Sequence, residues 1–420
     1  MKEDWKTDKF KNQIQYKSGY TWSKEQELKT QEPNSVRVLT VTNIQKDLDL
    51  SEELYLQGVS EKYKKEKAAS KDWCIAVSSN GNRKRIGNAV FIKDDTDYLF
   101  ASFLTAFKPK DNSEILPDYF FRWLSSHNVQ ERITSVSEGT TGLGNLDIRY
   151  LRNMDIHFPE KHEQSAIAAM LSKVDETIAS VQASISAAER LKKSLMQNLL
   201  TGRMKPDGTL RKEDEFYVDE KFGRVPVGWE VKRIDEISER KTEVIDPTKT
   251  KEVYDYIGLE HIVPDEFVRC GKGLSNETVA LKVKFEKGDL LYGKLRPYLN
   301  KVFISDISGV GSTEFIVLKQ NEFTNWVYLN FQLKRFLDYT KSMTAGTQHP
   351  RASWKDIKHY LVGIPKDEQE REQITRKLLS IEQQKTTNDD KIAVLERLKK
   401  SLMQNLLTGK VRVNKKQKDQ

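Results

Sequence analysis

From about Glu160 to Thr201 the chain has neither Gly nor Pro. Apolar residues return at Ile167, Leu171, Val174, Ile178, Val181 and Ile185, spaced alternately by four and three. That rhythm keeps one stripe of a helix apolar and predicts a long helix with a heptad seam. Ala188, Leu191, Leu195 and Leu199 carry the stripe onward after one slip of phase. Pro159 stands before it and Gly202 after it, the order of a helix start and stop. The pattern returns from about Lys366 to Thr408, where Ile374, Leu378, Ile381, Ile392, Leu395, Leu398, Leu402 and Leu406 trace a second seam. Lys385 and Asn388 interrupt it, as polar residues do when they set register at some cost in stability. Each helix would be about 65 Å long at ~1.5 Å per residue. One helix alone would leave its seam in water, so the two are expected to pack against each other.

The helix ends are copies. Glu189-Arg-Leu-Lys-Lys-Ser-Leu-Met-Gln-Asn-Leu-Leu-Thr-Gly202 recurs unchanged at Glu396–Gly409, 207 positions on. The remaining segments show a different pattern. Val36-Arg-Val-Leu-Thr-Val, Asn88-Ala-Val-Phe-Ile, Asp289-Leu-Leu-Tyr, Asn300-Lys-Val-Phe-Ile and Phe315-Ile-Val-Leu are short, β-branched and aromatic, with Gly, Asn and Asp between them. They predict strands. Pro117-Asp-Tyr-Phe-Phe-Arg-Trp-Leu and Trp326-Val-Tyr-Leu-Asn-Phe-Gln-Leu predict helices. The expected organisation is a mixed α/β globule over 1–158, a long helix over 159–204, a charged connector over 205–224, a second globule over 225–364, a second long helix over 365–411 and a basic tail over 412–420. Faint echoes mark the duplication inside the globules. Gly139-Thr140 matches Gly346-Thr347, and Phe158-Pro159 matches Ile364-Pro365. A shared frame with divergent inserts suits one task performed twice on two different targets.

Composition narrows the partner. Net charge is +8 and the pI is near 9.0, a balance that favours a polyanion such as nucleic acid. Two cysteines, one per half, are no disulfide framework. The N-terminus lacks the apolar core of a signal peptide, and no run approaches the ~18 apolar residues of a membrane span. The expectation is a soluble, cytoplasmic protein.

These features together resemble the specificity subunit of Type I restriction-modification systems. The resemblance is carried by the paired Leu-Met-Gln-Asn-Leu-Leu-Thr-Gly helix ends and by Val225-Pro-Val-Gly-Trp-Glu-Val-Lys-Arg233. Asp289-Leu-Leu-Tyr-Gly-Lys-Leu-Arg-Pro-Tyr-Leu-Asn-Lys301 and Ser312-Thr-Glu-Phe315 add to it. The first half has no clear Pro-x-Gly-Trp opening, and its start matches near Trp5 or near Tyr20-Thr-Trp22. The resemblance implies an α+β fold. Two mixed α/β target recognition domains would be separated by two long antiparallel coiled-coil helices in a pseudo-two-fold repeat. It also implies a non-catalytic subunit of bacterial or archaeal defence that binds double-stranded DNA, each domain reading one half of a split, asymmetric site. Two methyltransferase subunits would dock on it and use S-adenosylmethionine to methylate adenine. Two further restriction/translocase subunits would add ATP- and Mg²⁺-dependent cleavage. No cofactor is expected on this chain itself.

Candidate contacts follow from side-chain chemistry. In Ser79, Asn80, Asn82, Arg83, Lys84 and Arg85, Arg can pair bidentately with guanine, Asn with adenine, and Ser or Lys can hold phosphate. The competing reading is a solvated basic turn. Lys294, Arg296, Tyr298, Asn300 and Lys301 hold the comparable place in the second half, where Leu295 and Tyr298 could instead pack the fold. Thr140, Thr141 and Asn145 before the first helix, and Thr347, Gln348, His349 and Arg351 before the second, form a further pair of loops. Plain loop geometry is the alternative there. The repeated Lys192-Lys193 and Lys399-Lys400 are either solvated flanks of the seam, phosphate contacts or part of a partner dock.

Catalytic patterns are missing. The sequence contains no Gly-x-x-x-x-Gly-Lys-Ser/Thr, no Pro-Pro pair of the Asn-Pro-Pro-Tyr type, and no metal spacing among its six histidines and two cysteines. Pro206-Asp207 followed by Asp219-Glu-Lys221 mimics a nuclease pattern but lies in a charged connector, so a solvated linker is the expectation. A degenerate, specificity-like scaffold that binds protein partners without reading DNA is the rival reading.

Overall fold

The computed structural model describes residues 5–137, 144–344 and 350–413. The chain divides into two compact units that do not follow the globule boundaries. One comprises Met1–Gln182 with Asp390–Gln420, the other Ala183–Asp389. Each unit therefore contains one globule, the beginning of the long helix that follows it, and the end of the other long helix.

In the first unit an antiparallel sheet runs Ile14–Ser18, Leu104–Pro109, Cys74–Val77, Ala89–Phe91. Every residue of Cys74–Val77 is buried, as a central strand covered on both faces requires, whereas Ile14–Ser18 loses its burial along the edge. A second sheet joins Glu27–Leu28, Tyr55–Leu56, Val36–Leu39 and Leu99–Phe100, the last pair parallel. Helices Pro117–Leu124 and His127–Val136 follow. Phe10 packs edge-on against Phe107 and Phe120 at the centre of the core.

The second unit repeats the plan with different residues. Arg240–Lys241, Phe315–Leu318, Leu290–Gly293 and Val302–Ile304 form its antiparallel sheet. A five-stranded sheet carries Lys282–Phe285 and Gly309–Ser312 at its centre. Helices Thr324–Phe331 and Lys334–Met343 bring Phe331 and Phe336 into a parallel stack at 4.0 Å, with Tyr292 against both. The predicted strands and the predicted helix of this unit form within two residues of their expected bounds.

The openings of the two units also match. Trp229–Arg233 pairs with Leu361–Pro365, and Lys6–Lys9 pairs with Asp155–Phe158 in the same sense. A single helical turn follows each, at Ile234–Ile237 and Phe10–Gln13. Trp5 thus takes the place of Trp229, which decides the start of the first half in favour of Trp5 over Tyr20-Thr-Trp22.

The long helices span Lys161–Leu199 and Glu368–Leu406, 39 residues each. Within each unit the two helix segments run antiparallel. In the first, Lys399 pairs with Asp175 and Arg412 with Glu163; in the second, Lys385 pairs with Glu189 and Lys192 with Glu382. Ile167 and Leu171 share a core with Leu406, as Ile374 and Leu378 do with Leu199. Val174, Ile178, Val181, Ile185 and Ile381 are buried, while Leu195, Ile392, Leu395 and Leu402 are half-buried. Two seam positions depart from expectation. Leu191 and Leu398, equivalent in the repeat, are 52% and 45% exposed. After Ala188 the covered stripe continues through half-buried Lys192 and Leu195, with Met196 beside them, to Leu199, so the alternation of four and three runs on without the slip that Leu191 suggested. The connector also differs: Phe216–Asp219 and Gly223–Pro226 form an antiparallel hairpin. Asp207 and Asp219 serve as turn acceptors there, for Thr209 and for the backbone of Lys221 and Phe222.

Candidate nucleic-acid interface

In each unit a loop leaving the central sheet meets a second loop from just before the long helix. In the first unit, Ser79–Asn80 follows strand Cys74–Val77 and pairs with Gly144–Asn145. Leu146 N–H donates to Ser78 carbonyl at 2.8 Å. The chain then turns through a short 3₁₀ segment, Arg83–Arg85, capped by the Asn82 side chain, which accepts from Lys84 N–H. Asn80 in turn accepts from Asn82 N–H at 2.7 Å. Asn82, Arg83, Lys84 and Asn145 stand exposed, with Ser79 and Asn80 half-buried. Arg85 is committed elsewhere, donating to the carbonyls of Val41 and Ile44. It braces the loop, on which Arg83 and Lys84 are exposed.

In the second unit, Lys294–Lys301 leaves strand Leu290–Gly293. Arg296 N–H donates to Pro350 carbonyl at 2.8 Å, Ala352 N–H to Lys294 carbonyl at 3.0 Å, and Leu295 bridges Arg351. Arg296 and Asn300 both hold left-handed backbone, with φ of 52° and 42°. For non-glycine residues each costs about 1–3 kcal/mol, a strain that collects where a loop is held for a purpose. Arg296 and Tyr298 are exposed. Asn300 is buried at 3% exposure, and Lys301 Nζ donates to Leu259 carbonyl at 2.6 Å, so both work inside the fold. Thr140, Thr141, Thr347, Gln348 and His349 lie outside the described residues.

Two cation clusters had no local signal in the sequence, one at the second junction and one elsewhere in the first unit. Arg351 pairs with Glu314 at 3.0 Å, and Lys294 N–H donates to the carbonyl of Glu314. Burial pushes the Lys294 ammonium down; Glu314 opposes this, and the charges of Arg240 and Arg351 add to it. Arg240 thus belongs to the cluster, although 54 positions separate it from Lys294. In the first unit Lys17 is pushed down to about 8, by burial first and then by Lys67 and Lys108. Its ammonium sits 4.5 Å from the Trp73 ring centre. Only the sheet register brings these residues together.

The repeated lysines divide into two roles. Lys192 and Lys399 hold Glu382 and Asp175 within the helix pairs, whereas Lys193 and Lys400 remain exposed. Among the described residues no group of three or more His, Cys, Asp or Glu could hold a metal ion, and no helix is long and apolar enough to cross a membrane.

The chain is similar to known proteins. Residues 2–190 and 226–397 match the model of the Type I restriction modification DNA specificity domain, one match per half. The chain is similar to the Type I restriction enzyme EcoDI specificity subunit of Escherichia coli, 25% identical over 275 residues. That match covers 59% of this chain and 59% of the E. coli subunit's own length. It is also similar to the MjaIX specificity subunit of Methanocaldococcus jannaschii, 24% identical over 327 residues, 73% of this chain and 71% of that one. Among solved structures, the S subunit of a Type I restriction-modification system from M. genitalium has a similar fold. Its TM-score is 0.60 and its identity 16%, with 96% of both chains covered. A chain solved in a study of complex assembly and conformational transition of the type I R-M system aligns with a TM-score of 0.52 and 14% identity, covering 98% and 99%.

Proposed function

The chain belongs to the Type I restriction modification DNA specificity family, and from that premise we propose that it is the DNA-reading subunit of a Type I restriction-modification complex. Each globule reads one half of a bipartite, asymmetric site. The observation that carries this reading is the repeated convergence of two loops. Ser79–Asn80 joins Gly144–Asn145, and Lys294–Arg296 joins Pro350–Ala352. Each junction sits at the same place in its unit, just ahead of the long helix, and each exposes cations: Arg83 and Lys84 in one, Arg296 in the other. The side chains differ between the units, as two unrelated half-sites require.

The helices set the spacing between the half-sites and dock two like partners, the methyltransferase subunits. Support comes from the copied helix ends, which leave Leu191 and Leu398, and Lys193 and Lys400, exposed at equivalent positions. Identical surfaces call for identical partners. Chemistry belongs to the partner subunits, with S-adenosylmethionine for methylation and ATP and Mg²⁺ for cleavage, and this chain contributes recognition alone. Selection from a random DNA pool by the chain assembled with its methyltransferase tests the reading. Two short motifs at one fixed spacing are expected. A well-formed complex that enriches no motif would favour a scaffold without DNA reading.

A further inference from the structure

The two loop junctions share one backbone pattern, position for position. Val77 stands opposite Leu104 in the first sheet, and Gly293 opposite Phe315 in the second. One residue further on, Ser78 N–H donates to Phe103 carbonyl at 2.8 Å, and Leu146 N–H to Ser78 carbonyl at 2.8 Å. In the second unit Lys294 N–H donates to Glu314 carbonyl at 2.8 Å, and Ala352 N–H to Lys294 carbonyl at 3.0 Å. A third segment, the turn ahead of Leu104 or of Phe315, thus joins the two loops at each junction. The correspondence sets Ser78 with Lys294, Asn80 with Arg296, Asn145 with Arg351, and Phe103 with Glu314.

Phe103 is 54% exposed. A single exposed phenyl is ordinary on a protein surface, and position is what separates this one. Its carbonyl accepts from both Ser78 and Ser79 N–H, at 2.8 and 3.2 Å, at the root of the loop that carries Asn82, Arg83 and Lys84. Those residues and Asn145 are the exposed polar side chains of the junction, suited to phosphates and to the polar edges of bases. A phenyl adds the contact that such a set lacks, an apolar face for the 5-methyl group of thymine.

In the second unit the same position carries a carboxylate. Glu314 Oε1 pairs with Arg351 at 3.0 Å, while its Oε2 is buried with no hydrogen-bond partner among the described residues. On a surface meant for DNA a carboxylate repels phosphate, and one kept for stability would have both oxygens satisfied. Its visible work is to hold Arg351, from the loop before the long helix, at the junction with Lys294. We propose that this turn position sets what each junction reads. Phe103 touches a thymine methyl of the first half-site, and Glu314 is the positioning residue that aims Arg351 at a base of the second. The inference rests on DNA reading by both globules.

The test is selection from a random DNA pool by the chain assembled with its methyltransferase, each half-site serving as control for the other. With Phe103→Ala, preference at one thymine of the first half-site should fall about tenfold, a loss usual for one base pair, and the second half-site should stay unchanged. Deoxyuridine at that thymine, which lacks only the methyl, should lower the affinity of the parent and leave that of the variant unaltered. With Glu314→Gln, preference at one base pair of the second half-site should fall about tenfold. Arg351→Ala should blur the same base pair, with no further loss in the double variant. A carboxylate that merely sits among cations predicts the opposite, tighter binding to all sequences alike once its charge is gone. Both substitutions leave the backbone bonds of the turn in place, and unchanged thermal melts verify folding. Either motif surviving its substitution unaltered overturns the proposal. So does a parent indifferent to deoxyuridine at every thymine, or Glu314→Gln binding more tightly with discrimination intact. A parent complex that enriches no motif removes DNA reading and this inference together, whereas parental motifs indifferent to the substitutions remove this inference alone.

Discussion

Lys399 donates to Asp175 at 2.6 Å while Arg122 holds the other carboxylate oxygen. Burial pushes this carboxyl up, but the Lys399 hydrogen bond and the Arg122 charge outweigh it and hold Asp175 below its usual value of 3.8. A carboxyl depressed on folding contributes stability above its unfolded value, and that contribution is lost as pH falls through the folded one. Asp175→Asn should therefore cost about 1 kcal/mol at pH 7, a figure kept small because solvent screens a pair one-third exposed. Well below the ordinary carboxylate range the variant and the parent should converge. Urea unfolding at pH 7 and near pH 3 measures both, and equal differences at the two pH values would refute the linkage. The repeated glycines give a second residue-scale contrast. Gly202 and Gly409 adopt φ of 69° and 67°, so alanine at either costs about 1–2 kcal/mol from the backbone. A Cβ on Gly202 would also stand 2.2 Å from Pro226 Cγ, against 3.2 Å from the Trp5 ring for Gly409. Gly202→Ala should be the more damaging of two chemically identical changes, as thermal melts of the two variants would reveal.

At the scale of the element, the exposed and buried leucines of one helix should behave oppositely. Leu171 is fully buried and Leu191 half-exposed. Leu171→Ala should cost about 2–5 kcal/mol, whereas Leu191→Gln should stay within about 0.5 kcal/mol and instead weaken assembly with the methyltransferase. Denaturant titration and size-exclusion of the mixed subunits separate the two effects. Both helices, the central strands and the core helices were legible because their periodicity or β-branched runs reflect burial directly. The second half of the seam was not. Lys192 buries its stem and pairs with Glu382, and an apolar count passes over a lysine in favour of Leu191. The connector hairpin escaped for a related reason. Its strands Phe-Tyr-Val-Asp and Gly-Arg-Val-Pro sit among charges, and only the folded core that takes in Val225 and packs against Phe222 gives them an apolar face to cover. Of the candidate site, loop positions were readable from Gly, Asn and Arg. Which cations face outward was not, since Arg85 and Lys301 look like Lys84 and Arg296 until their carbonyl partners Val41, Ile44 and Leu259 are in place.

For the whole molecule, the proposed spacing role predicts arithmetic. Seven residues inserted into both long helices near the division between the units preserve the seam and add about 10 Å at ~1.5 Å per residue. The recognised gap should grow by about three base pairs, given ~3.4 Å per base pair along each strand. Selection with the lengthened chain reads the gap directly, and an unchanged gap would remove the helices as its determinant. The same architecture constrains how the chain is born. Ala183–Asp389 is one continuous stretch, whereas the other unit joins Met1–Gln182 to Asp390–Gln420. A ribosome makes the first globule before the second, yet the first unit stays open until the last helix emerges, because Leu406 and Arg412 complete its core and its Glu163 pair. The half synthesised later can close earlier. During that interval Ile167 and Leu171 wait uncovered, and chaperone capture or protease cutting of nascent chains halted near Asp389 should concentrate on the early-made half.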